Sequence, residues 1–341
     1  MSTPVVLVAT APGMRRWAAV PGSPLEDRAT VREVHWSPGE DPAAYAARFD
    51  ESLAGADALV VAPWSWPCVP PFTPARWAVA DGLRVVAGAL DHRWSGILEL
   101  SEATGRGVAV LDTSRTMTPT VAELALAMTL NLLRDIPAAV QLARDGGWRG
   151  ETWERGPVTG DLTGRRVGLA GYGSINRRYA ELLGPFHCDV AVYDPHAELT
   201  GATRAPSLTG LAARSEILVV GIPPSPATEG VVSAEVIDAL PAGALVVLVS
   251  RMAVVDQAAL WRRAGAGEIR VAADVFDPEP PPADAPFLRS PDVLPTPHIA
   301  GATSACQRRC FTSACADALA VLDGRAPAYA LTPRDDELRR A

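Results

Sequence analysis

The chain contains no lysine. All 31 of its basic residues are arginine, a bias that a GC-rich genome produces without functional cause. A Schiff-base lysine and a P-loop lysine are therefore both excluded. No apolar run reaches the roughly 20 residues needed to span a bilayer. The start, Met1-Ser2-Thr3-Pro4 before Val5-Val6-Leu7-Val8-Ala9, lacks the basic region of a signal peptide and reads as a first strand. Cysteine is scarce: Cys68, Cys188, Cys306, Cys310 and Cys315 are scattered and odd in number. Cys306 and Cys310 lie one helical turn apart, but no further His or Cys pair completes a metal set. No metal is expected, and reduced thiols in a cytoplasmic protein are. Positive charge is outnumbered too. A net charge of −8 argues against a nucleic-acid surface.

Within its 341 residues, 48% are hydrophobic and 21% charged, which suits a globular protein of two domains. Strand-like runs alternate with helical patterns, the signature of parallel sheets. In the first part, strands are expected near Val5–Thr10, Ala58–Ala62, Leu83–Val86 and Val108–Asp112. A proline-rich loop follows Ala62 and carries Trp64 and Trp66. These two residues either wall a ligand pocket or cap a core. Val121–Leu133 is apolar almost all round, so that helix is expected to be buried between domains or subunits. Glycine-rich stretches at 146–150 and 156–160 mark a loop-rich connection. A second series reads as strands at Arg166–Ala170, Asp189–Tyr193, Ile217–Val220, Leu245–Val249, Arg270–Ala273 and Val293–Leu294. About six strands is the Rossmann count. A long helix, Ser304–Leu322, and a polar tail close the chain.

The second series opens on Gly171-Tyr172-Gly173-Ser174-Ile175-Asn176, between a strand and a helix. Gly171 permits a tight turn, and Gly173 lets backbone approach a pyrophosphate. The helix start then points free N–H groups at that anion. Asp194 ends the next strand and can accept hydrogen bonds from an adenosine ribose. Asn176 stands where the fingerprint has its third glycine. Three further strands end on chemistry: Arg251 after Leu245–Val249, Asp274 and Glu279 after Arg270–Ala273, and His298 after Val293–Leu294. Singly, these are most often an ion-pair partner, a solvated turn and a structural histidine. Together, after a dinucleotide turn, they can converge at the carboxyl ends of one sheet.

In these residues the chain resembles the D-isomer-specific 2-hydroxyacid dehydrogenases, from about Leu83 to Leu322. The matching pieces include Asp161-Leu162-Thr163-Gly164, the Gly171 turn, Arg251 with Val255–Leu260, Asp274-Val275-Phe276 with Glu279-Pro280, and Thr296-Pro297-His298. The resemblance implies two doubly wound α/β domains: a Rossmann NAD-binding domain (118–298) inserted into a flavodoxin-like substrate domain (1–117 and 299–341). It implies a homodimer formed through the helix at Val121–Leu133. The implied activity is NAD(H)-dependent interconversion of a 2-keto acid and a D-2-hydroxy acid, with His298 as acid/base. Glu279 would then pair with His298, and Arg251 would grip the substrate carboxylate. Backbone near Ala89 and Leu90, with Trp64 and Trp66, would complete the substrate site. Gly171, Gly173, Ser174, Ile175, Asp194, Ile222, Pro223, Val249, Ser250, Asp274 and Gly301 would contact the cofactor, Asp274 through the nicotinamide carboxamide.

The chain departs from the pattern at Met252 (usually glycine), Leu248 (usually asparagine) and Asn176. Met252 and the tryptophan loop are expected to reshape the pocket. Asp194, followed by Pro195-His196 with no adjacent arginine, favours NAD(H) over NADP(H). Other readings on the same scaffold are an NAD(H)-sensing regulatory protein and a dehydrogenase of phosphite. The latter kind also uses a lysine, and none is present. Formate dehydrogenases of the family carry glutamine where Glu279 stands.

Overall fold

A computed structural model describes residues 3–11, 23–90, 94–148, 160–199, 202–333, 335 and 337. The chain divides into two units, Met1–Met117 with Thr303–Arg340, and Thr118–Ala302. In the first, β1 (Val5–Thr10), β2 (Thr30–His35), β3 (Ala58–Val61), β4 (Val85–Gly88) and β5 (Ala109–Asp112) form a parallel sheet in the order β2-β1-β3-β4-β5. That is the flavodoxin-like order. Every residue of β3 and β4 is buried, which is why both read as unbroken runs of small and branched apolar residues. Three helices follow strands of this unit: α1 (Pro42–Leu53), α2 (Pro74–Val79) and α3 (Leu100–Gly105). α1 shows how such a helix is specified. Asp41 caps it by accepting from the Ala44 N–H at 3.0 Å, and Pro42 occupies the first turn. Tyr45, Phe49 and Leu53 then fall on one face and are buried.

The second unit starts with α4 (Thr118–Arg134) and α5 (Ile136–Arg144). It continues through β6 (Arg166–Ala170), α6 (Ser174–Leu183), β7 (Asp189–Tyr193), β8 (Thr203–Arg204) and α7 (Leu208–Arg214). Then come β9 (Ile217–Val220), α8 (Ala234–Asp238), β10 (Leu245–Leu248), α9 (Gln257–Gly265), β11 (Arg270–Ala273) and β12 (Val293–Pro295). The parallel sheet runs β12-β11-β10-β9-β6-β7-β8. Its order reverses between β6 and β9, so a crevice opens at the carboxyl ends of those two strands. α10 (Ser304–Leu322) returns to the first unit and packs Phe311, Ala314, Cys315 and Ala318 against Val6, Val8, Val60 and Val85.

The two-unit α/β reading holds, with two strands added. β2 and β8 escape a search for apolar runs because they are edge strands: half of the residues of β2 are exposed, and β8 is two exposed residues long. α4 buries one face only. Val121, Ala122, Ala125, Met128, Leu132 and Leu133 are buried, whereas Glu123 and Ala127 face outward. The glycine-rich connection lies largely outside the described residues, which omit 149–159.

Candidate active site

β11 and β12 lie side by side in register, Ala273 opposite Pro295. The residues just past their ends therefore meet. Asp274 is wholly buried. It accepts from the Thr296 hydroxyl at 2.6 Å, from the Ile299 N–H at 2.9 Å and from the Ala300 N–H at 2.8 Å. These bonds wrap the turn 296–300 around one carboxylate and present His298 from its crest. His298 Nδ1 stands 2.8 Å from Glu279 Oε2. The other oxygen, Oε1, accepts from the Phe276 N–H at 2.8 Å. Phe276 is in turn fixed by stacking on Phe287 (5.7 Å between centroids) and Trp261 (6.4 Å). Partial burial pushes the Glu279 carboxyl up. The hydrogen bonds from His298 and Phe276, with the charges of His298 and Arg251, outweigh that and hold it below the usual glutamate range. Arg251 follows β10, and one of its guanidinium N–H groups donates to the Ser250 carbonyl at 2.6 Å. Arginine, glutamate and histidine, 47 positions apart in sequence from Arg251 to His298, thus share one electrostatic site.

The glycine turn after β6 and Ile222 after β9 lie at the switch point. Gly171 has φ +83°, and a Cβ on it would meet the Gly221 carbonyl oxygen at 3.0 Å, so glycine is required there. Gly173 has open space beside it and begins α6 with no side-chain cap. The first N–H groups of α6 are thereby left for an anion, and this cradle fits a pyrophosphate. The Ser174 hydroxyl meets that of Thr118 at 2.9 Å. Asp194 accepts from the Tyr172 N–H at 2.7 Å, His196 N–H at 2.8 Å and Ala197 N–H at 2.9 Å. Partial burial raises its pKa, and those three N–H bonds more than reverse the effect. Two arginines do approach this loop. Arg204 donates to the carbonyls of Asp194 and Ala197, and Arg177 lies over the Tyr172 ring at 4.5 Å. The lack of an adjacent arginine holds along the sequence but not in space. Ile222 and Val249 are buried, Pro223 is exposed, Gly301 is buried, and the buried Ser250 Oγ has no hydrogen-bond partner among the described residues.

Asp274 thus uses both carboxylate oxygens to hold the His298 turn. Met252 and Leu248, 2% and 0% exposed, pack in the core of the second unit. Leu90 is buried and its N–H donates to Asp112 Oδ1 at 3.0 Å, so that group is not a free donor for a substrate. Ala89 packs against Cys306 and Cys310, and Trp66 against the core of the first unit. Trp64 follows β3 with φ +62°. Among the described residues no cluster of His, Cys, Asp or Glu suits a metal, and no helix is long and apolar enough to cross a membrane.

Residues 126–300 match the model of the D-isomer specific 2-hydroxyacid dehydrogenase, NAD binding domain. The D-3-phosphoglycerate dehydrogenase of Mycobacterium bovis is 32% identical over 321 residues, 92% of this chain and 56% of that protein. The chain thus spans little more than half the length of that relative. The human glyoxylate reductase/hydroxypyruvate reductase is 33% identical over 236 residues, 66% of this chain and 70% of that one. Among solved structures, an NADPH-dependent glyoxylate/hydroxypyruvate reductase from Sinorhizobium meliloti superposes with a TM-score of 0.76 at 26% identity, covering 99% of this chain and 100% of that one. With its glycine turn, its Arg251–Glu279–His298 constellation and these relatives, the chain belongs to the D-isomer-specific 2-hydroxyacid dehydrogenase family.

Proposed function

We propose that the protein is an NAD(H)-dependent oxidoreductase that interconverts a 2-keto acid and a D-2-hydroxy acid. The observation that carries this reading is the 2.8 Å pair of His298 Nδ1 with Glu279 Oε2, on a turn that Asp274 anchors. Bound NAD(H) supplies or accepts the hydride at C2. His298 does the proton work. Its Nδ1 faces Glu279, and its Nε2 gives a proton to the carbonyl oxygen in reduction and takes it back in oxidation. Glu279, held ionised, stabilises the imidazolium and fixes the ring. Arg251 grips the substrate carboxylate as a fork and draws charge toward the carbonyl oxygen. The unit built on β6–β12 is the NAD-binding domain, and the unit built on β1–β5 is the substrate domain.

Asp194 favours NAD(H) over NADP(H). Its carboxylate repels a 2′-phosphate, and Arg204 is committed to backbone carbonyls. The Sinorhizobium reductase is NADPH-dependent, so the choice is a property of this chain. The protein acts as a homodimer. α5 has no buried residue, and Ile136, Val140 and Trp148 are 41%, 42% and 78% exposed, an apolar surface that a second copy would cover. Five free cysteines fit a reducing cytoplasm.

NADH absorbance loss with glyoxylate, hydroxypyruvate, pyruvate and phenylpyruvate tests the activity. Turnover of at least one, with a lower KM for NADH than for NADPH, is expected. Tight NADH binding without turnover of any would favour the NAD(H)-sensing reading instead.

A further inference from the structure

We infer that Asn176, at the third glycine position of the turn, is a positioning residue for dinucleotide binding and works as a pair with Gly221. This rests on the NAD-binding reading of the Gly171 turn. Asn176 is 1% exposed in the first turn of α6. Its side-chain amide reaches back and donates to the Gly171 carbonyl at 2.8 Å and the Ala170 carbonyl at 3.2 Å. The Gly171 carbonyl and the Tyr172 N–H belong to one peptide plane. That N–H donates to Asp194 at 2.7 Å. A single peptide is therefore held at its oxygen by Asn176 and at its nitrogen by the residue assigned to the ribose. The turn under the pyrophosphate and the carboxylate at the ribose are set by the same bond.

The asparagine occupies space that the sequence makes elsewhere. A Cβ on Gly221 would lie 2.6 Å from Asn176 Cγ, 2.6 Å from Nδ2 and 2.7 Å from Oδ1. Gly221 also donates its N–H to the Ala170 carbonyl at 2.9 Å, so β6 and β9 close at this point. Asn176 Oδ1 is buried with no hydrogen-bond partner among the described residues and faces the bare Cα of Gly221. The bonded half of the amide is its donor, held by two backbone carbonyls. The donor half is the half that matters. Where a third glycine lets helix and strand approach, this chain uses an amide latch, and that latch needs a glycine at position 221, at the switch point beside Ile222 and Pro223.

The test is a double-mutant cycle on the full chain, read by calorimetric titration of NADH and by Tm. N176G places the fingerprint's own residue and so suits the fold. It is expected to weaken NADH binding about tenfold, the loss of two hydrogen bonds to the turn, and to raise KM for NADH with kcat little changed. G221A, whose Cβ displaces the amide, is expected to weaken binding similarly. The double variant is expected to bind no worse than either single one, because the clash and the latch vanish together. N176G that binds NADH as tightly as wild type, a lowered Tm with unchanged affinity, or strictly additive losses in the double variant would each overturn the inference. Wild-type protein that fails to bind NADH would overturn the NAD-binding reading itself, a separate outcome.

Discussion

His298 has φ +52°, a left-handed backbone that a non-glycine residue adopts at a cost of order 1–3 kcal/mol. Three hydrogen bonds to Asp274, worth roughly 1 kcal/mol each, offset it. The strained crest aims the ring at Glu279. Sequence showed the histidine, the glutamate and the arginine, because each follows an apolar strand. It did not show what Asp274 does, since a carboxylate past a strand end reads alike whether it faces a ligand or three local donors. Met252 and Leu248 were legible as departures but not as core residues, because burial depends on neighbours from β9 and α9. Glu279 carries a pH signature. Its pKa is depressed in the folded state, so its contribution is present above about pH 4.3, the unfolded value, and is lost as pH falls through the lower folded value. E279Q should therefore melt slightly below wild type at pH 7. The difference should be smaller at an acid pH below the unfolded value, as the carboxyl protonates. An equal gap at both pH values would show that Glu279 gains nothing from its partners.

Elements brace this site from behind. α9 supplies Trp261, which stacks on Phe287 at 4.2 Å, and both stack on Phe276. The Phe276 N–H holds Glu279, so the stack sets where the carboxylate points. F287A should cut kcat by roughly tenfold, a modest part of the 10²–10⁴ that acid–base catalysis supplies, while leaving KM for NADH near wild type. F287Y, which keeps the stack, should restore it. A rise in KM for NADH with kcat intact would place the stack's influence at the cofactor. On the sequence, Phe287 is only an aromatic in a proline-rich loop. Nothing at that distance along the chain announces that it meets Trp261. The long helices were legible for the opposite reason: α10, Ser304–Leu322, declares itself by its own periodicity, and the structure adds a Thr303 cap that accepts from Cys306 N–H at 3.1 Å.

Each unit of the molecule has its own core, one organised around β1–β5 and one around β6–β12. The division into a flavodoxin-like order and a Rossmann order follows from strand alternation plus the glycine turn, both readable early. Association is a different matter, since a half-exposed helix reads as an apolar one. The strip of Ile136, Val140 and Trp148 on the second unit predicts a particle near twice the 35.8 kDa chain mass. The I136D/V140D double variant should shift it to the monomer in light scattering. A wild-type monomer would remove the dimer from the account. The central claim is proton transfer by His298 to a 2-keto acid beside bound NADH, and paired assays on H298A test it most directly. NADH affinity within about twofold of wild type is expected, with keto-acid reduction lowered by at least ~10². Wild-type rates of NADH oxidation in H298A would contradict it.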